Sequence, residues 1–139
     1  MTAKRKSTLL TNLELAVMRV VWAAHPEPLT VREVVDGLNE GRRKPLAYNT
    51  VQTMLGILRD KGVVEVRQGS GRAYVYRAKR SQEEVTTTMV GDLVERLFDG
   101  HVQPLLLHLV EQERLSRADL SSLKELIETQ LDDEEGEIR

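Results

Sequence analysis

The sequence contains no cysteine, which excludes disulfides, thiolate zinc sites, iron–sulfur clusters and a cysteine nucleophile. Histidine is scarce: His25, His101 and His108 lie apart from any glycine-rich nucleophile turn. His101 and His108 stand two helical turns apart, and together with Glu111 they read as ordinary helix-surface residues rather than metal ligands. Gly69-Ser70-Gly71 lacks a following helix that would hold a phosphate, so there is neither a P-loop nor a dinucleotide fingerprint. No apolar run approaches the roughly 20 residues of a membrane span. The basic Lys4, Arg5 and Lys6 lead to Leu13-Glu14 rather than to an uninterrupted signal-peptide core. These absences predict a cytoplasmic protein that is not an enzyme, with no catalytic residues, no metal, no cofactor and no membrane partner.

What is present is unevenly distributed. Apolar residues make up 40% of the 139, enough for one ordinary domain or two small ones. The net charge of -2 conceals a basic half and an acidic half. Residues 1–80 carry 15 Lys and Arg against 7 Asp and Glu, a balance of +8, and residues 81–139 carry 5 against 15, a balance of -10. A basic first half suits a polyanionic partner, and the acidic second half has a separate task.

Helix starts are marked by a hydroxyl residue followed three positions later by an acid: Thr11 with Glu14, Thr30 with Glu33, Ser81 with Glu84, and Ser116 with Asp119. The first helix is expected from Asn12 to Ala24, with Leu13, Val17, Val20, Val21 and Ala24 on one face and Met18 and Trp22 widening it. His25-Pro26-Glu27-Pro28 ends it. A second follows from Val31 to about Glu40, and a third from Ala47 to Lys61, closed by Gly62. Val63 to Arg67 and Arg72 to Arg77 are β-branched or aromatic and flank Gln68-Gly69-Ser70-Gly71, which signals a hairpin. Three helices and then a hairpin is the order of a winged helix-turn-helix domain.

From Ser81 onward helical spacing returns, with Val90, Leu93, Val94, Leu97 and Phe98 in one segment and Leu120, Leu123, Leu126, Ile127 and Leu131 in another. Between them Leu105, Leu106, Leu107 and Leu109 crowd a stretch too apolar for an exposed helix. So short a helical region cannot bury this surface alone, and a second copy of the chain is the economical partner. The fold class is therefore mostly α with a small β-hairpin. The expected division is a winged-helix DNA-binding domain at 1–80, a helical dimerisation domain at 81–131, and a frayed or disordered acidic tail at 132–139.

If the third helix enters a major groove, Asn49, Thr50, Gln52 and Thr53 are the residues placed to read base edges, since Asn and Gln pair bidentately with adenine and Thr offers a hydroxyl and a methyl. Arg42, Arg43, Lys44, Tyr48, Lys61, Arg67 and Arg72 are placed to contact the DNA backbone. Leu93, Leu97, Phe98, Leu105, Leu106, Leu109, Leu123, Leu126 and Ile127 are the dimerisation candidates. At least one of Tyr74 and Tyr76 is expected to pack within the hairpin rather than stack on a base.

The run Leu13-Glu14-Leu15-Ala16-Val17-Met18-Arg19-Val20-Val21-Trp22, then Thr30 to Val34, Ala47 to Leu55, Leu58, Lys61-Gly62 and the Tyr74, Tyr76 hairpin, resembles the penicillinase repressor (BlaI/MecI/CopY) family, and the likeness continues through Leu97-Phe98 and Leu105 to Leu115. The resemblance implies a homodimeric transcriptional repressor, each third helix reading one half of a dyad-symmetric, double-stranded operator, with the C-terminal helices joining the subunits. In β-lactam-responsive members a membrane sensor triggers a cut that loosens the dimer. The corresponding step here is His108-Leu109, where the best-known members have Asn-Phe, so a sensor protease of that kind is a partner only by resemblance. The copper-responsive branch uses a cysteine-rich end that this chain lacks. The competing reading, from a different class, is a winged-helix protein-interaction module that never reads bases.

Overall fold

The computed structural model describes residues 9–71 and 73–138, of which 137 and 138 are described by backbone alone. All four hydroxyl–acid pairs form reciprocal caps. Glu14, Glu33, Glu84 and Asp119 each donate a backbone N–H to the hydroxyl three residues earlier, and each carboxylate accepts from that residue's own amide. Two orphan donors are satisfied at each start, which is why helices begin there. The helices are α1 (Asn12–Ala24), α2 (Val31–Asn39), α3 (Tyr48–Asp60), α4 (Gln82–Phe98), α5 (Val102–Glu111) and α6 (Arg117–Ile138).

Two compact units result, one reaching to Asp92 and the other starting at Leu93, so the division falls inside α4 rather than at the charge boundary near residue 80. In the first unit, α1, α2 and α3 pack around Val17, Met18, Val21, Val34, Val51, Leu55 and Leu58, all essentially fully buried. Gly37 of α2 lies so close to α1 that a Cβ there would stand 2.9 Å from a methyl of Val20. A strand pair, β2 (Val64–Gln68) and β3 (Tyr74–Ala78), closes one side of this core. They pair antiparallel from Val64 opposite Ala78 to Gln68 opposite Tyr74. Tyr74 and Tyr76 share one face of β3, but only Tyr76 reaches the core, while Tyr74 stands toward the hairpin end of the strand and is exposed, so the two tyrosines have separate roles.

The sheet has a third strand that periodicity did not reveal. Leu29–Thr30, β1, pairs antiparallel with β3, so β3 is central in the order β1-β3-β2. Two residues are too few to carry a period-2 pattern, and Thr30 also caps α2, which was its only legible signal. Together these elements are a winged helix-turn-helix.

α3 ends as Gly62 predicts. With φ at +78°, Gly62 occupies the left-handed region, its N–H donates to the Arg59 carbonyl, and the Val63 N–H reaches the Leu58 carbonyl at 3.0 Å. Trp22 is partly buried at the end of α1 and donates its indole N–H to the Arg80 carbonyl at 2.8 Å, tying that helix to the chain leaving β3. Trp22→Phe keeps the ring but leaves the carbonyl unpaired. The expected loss is about 1 kcal/mol in chemical denaturation.

The second unit consists of helices joined by short turns. α6 does not stop where its apolar period ends at Leu131 but continues through Asp132 and Asp133 to Ile138. Extending an existing helix needs no new nucleus, and Asp132–Glu135 adds no proline and no β-branched residue. The last residue, Arg139, lies outside the described residues.

Candidate nucleic-acid interface

A helix can present side chains to a duplex only if its first turns are exposed and its approach is held. α3 meets both conditions. Asn49, Thr50, Gln52 and Thr53 are all solvent-exposed, while Val51, Leu55 and Leu58 on the opposite face anchor the helix in the core. Unlike α1, α2 and α4, α3 begins at Ala47 with no side-chain cap. The chain before it is fixed instead by Asn39: its Nδ2 donates to the Leu46 carbonyl at 2.9 Å, and its Oδ1 accepts from the Leu46 amide at 2.8 Å. This bidentate bond closes the loop that carries Arg42, Arg43 and Lys44, all exposed, and sets where α3 starts. Asn39→Ala removes both bonds. It should cost about 1–2 kcal/mol in denaturant unfolding, with the loop becoming more protease-sensitive.

Beyond this loop the sequence-derived cations fare differently. Arg67 is exposed on β2, 3.7 Å from Glu65. Glu65 in turn accepts from Nε of Arg77, its register partner on β3, at 3.1 Å. The Arg77 hydrogen bond holds the Glu65 carboxyl below its ordinary value, so Arg77 is largely neutralised in the sheet. Arg72 lies outside the described residues.

Lys61 departs most from a role on the DNA backbone. Its Nζ donates to the Leu9 carbonyl and to Glu14 Oε1, both at 2.8 Å, and little of the side chain reaches solvent. Glu14 is only 3% exposed: three, four and seven residues before Val17, Met18 and Val21, it sits on the buried face of α1. With two of its three donors committed internally, Lys61 is a bolt between α1 and the end of α3.

Another feature escaped the sequence reading. The Arg32 guanidinium of α2 lies over the Tyr48 ring, 5.0 Å from its centroid. Both line a groove of about 410 Å³ together with Gln52 and, on the wing side, Tyr74. The signal for the pair was absent because residues 32 and 48 lie in different helices.

In the second unit the sequence-derived apolar candidates are largely uncovered. Leu93, Leu97, Leu106, Leu126 and Ile127 are exposed, Leu97 by 71% and Leu126 by 61%, and Phe98, Leu105, Leu109 and Leu123 are half-buried. Leu106, Leu123 and Ile127 line an apolar groove of about 420 Å³ between α5 and α6. α5 has no buried residue at all. His108 is exposed and Leu109 half-buried on it. No helix among the described residues is long and apolar enough to cross a membrane.

None of the curated proteins matches the chain. The profile of the penicillinase repressor family matches residues 10–129, which takes in the winged unit, all of α5 and most of α6. The chain therefore belongs to the penicillinase repressor family of DNA-binding transcriptional regulators, a family of regulators rather than of enzymes.

Proposed function

We propose that the protein is a homodimeric repressor that binds a dyad-symmetric operator, one α3 in the major groove of each half-site. The observation that carries this reading is the exposed start of α3, with Asn49, Thr50, Gln52 and Thr53 set beside the exposed Arg42, Arg43 and Lys44 on a loop pinned by Asn39. The first group offers base-edge donors and acceptors, and the second, with Arg67 on the wing, offers phosphate contacts. Dimerisation through α4, α5 and α6 is supported by their uncovered leucines, which in a lone subunit would form an apolar patch of a kind monomers rarely expose. The acidic charge of this half keeps it off the DNA while the basic half binds. Release follows from loss of the dimer, because each winged unit then binds its half-site alone.

Selection of bound fragments from genomic DNA by the purified protein, at about physiological salt, tests the reading. A recovered sequence with dyad symmetry supports it. Binding without sequence preference overturns it in favour of a protein-interaction module. On the selected operator, Gln52→Ala is expected to cost about 1–3 kcal/mol and to relax preference at one base position. Arg42→Ala should instead weaken binding to every duplex and lower the salt slope by about one. Equal losses on operator and random DNA for both variants would contradict these roles.

A further inference from the structure

The cations of the winged unit are not equivalent. Arg59, Lys61, Arg67 and Arg77 each lie within 4 Å of a carboxylate. Arg32 is exposed, and among the described residues no carboxylate lies within ion-pair distance of it, Asp36 one turn further along α2 included. Its guanidinium is nonetheless not free to wander, because it rests on the face of Tyr48 at the first turn of α3. A guanidinium held over an aromatic face keeps N–H donors free at its edges, and these can engage a phosphate through two parallel hydrogen bonds. Arg32 and Tyr48 share a groove with Gln52, whose side chain the preceding reading directs at a base edge.

We propose that Arg32 is a further DNA-contacting residue, which grips a backbone phosphate beside the base pair met by Gln52, and that the Tyr48 ring acts as its positioning platform. The proposal rests on the DNA-binding reading above. It gives Tyr48 a different task from direct phosphate contact: the ring carries no charge, but it holds in place a group that does. It also couples α2 to the first turn of α3 at the point where the helix would enter the groove, so backbone grip and base reading are held in one register. A loosely held lysine could supply the charge but not the paired donors.

The test uses the full chain with two duplexes of equal length, the operator recovered by selection and a random sequence, each titrated across a range of salt. Circular dichroism confirms folding, which exposed Arg32 and Tyr48 should not affect. Arg32→Gln is expected to weaken both duplexes about tenfold and to lower the slope of log affinity against log salt by about one. Arg32→Lys should restore the slope but only part of the affinity. Tyr48→Leu should weaken binding in the wild-type background and have little further effect in the Arg32→Gln background, because its contribution passes through Arg32. An unchanged slope in Arg32→Gln, or a loss confined to the operator, overturns the phosphate contact. An equal cost of Tyr48→Leu in both backgrounds overturns the platform. If the wild-type protein itself fails to prefer the operator, the repressor reading fails, and the Arg32 proposal is still decided by the salt slope on the random duplex.

Discussion

Leu126→Glu is expected to turn the protein monomeric and to lower operator affinity by a factor of roughly 10²–10⁴. The side chain is 61% exposed on α6, so the substitution opens no cavity within the subunit and buries no charge there. In a dimer the same position would place two carboxylates in an apolar interface, where each loses hydration without gaining a partner. The DNA loss follows from linkage alone. Once one winged unit of a dimer is bound, the other meets its half-site at a local concentration on the order of millimolar, and a monomer forfeits this advantage. Sedimentation velocity and operator titration on the same sample separate the two effects. Leu97→Glu, on α4, provides an independent variant of equal logic because it is also mostly exposed. A Leu126→Glu protein that stays dimeric with unaltered affinity would remove α6 from the proposed interface.

The second large effect is expected at the Glu14–Lys61 pair. Lys61→Met would leave the Glu14 carboxylate, 3% exposed, without its cationic partner, and a loss of about 3–5 kcal/mol is expected in thermal or denaturant unfolding. Replacing both partners by apolar residues of similar size should recover much of this, because the cost lies in the orphaned charge rather than in the missing attraction. Burial pushes the Glu14 carboxyl upward, but the Lys61 ammonium and the Thr11 amide and hydroxyl outweigh it and hold the group below its ordinary value of 4.5. A carboxyl with a depressed folded-state value stabilises the fold above the unfolded value and loses that contribution as pH falls through the folded one. Wild-type stability should therefore decline on acidification below about pH 4.5, and Glu14→Gln should show a shallower decline over the same window. Matching pH profiles for the two proteins would contradict the assignment.

The pair also shows why some of the molecule escaped a linear reading. Thr11 and Glu14 were recognisable as a capping box, and that role is real, since Glu14 accepts the Thr11 amide at 2.8 Å. The same carboxylate then meets Lys61 from a distant helix, a contact that depends on how α1 and α3 pack and has no local signature. Likewise Asn39 belongs to no local motif at the end of α2, yet its side chain binds both backbone groups of Leu46. Both are long side chains or amides whose partners are chosen by tertiary approach rather than by periodicity.

What the sequence by itself determined is local or additive. The four caps specify helix starts, Gly62 specifies a stop, the spacing of Val51, Leu55 and Leu58 decides which face of α3 turns inward, and the segregation of charge separates a basic half from an acidic one. Each rests on residues within a turn of one another or on a simple sum. Only the tertiary structure decided that Leu29–Thr30 joins the sheet, that Lys61 is withdrawn into an internal pair, and that Arg32 is seated on Tyr48. These depend on the approach of elements far apart in the chain, where a shift of an ångström or two makes or breaks a hydrogen bond, and no pattern along the sequence encodes that distance.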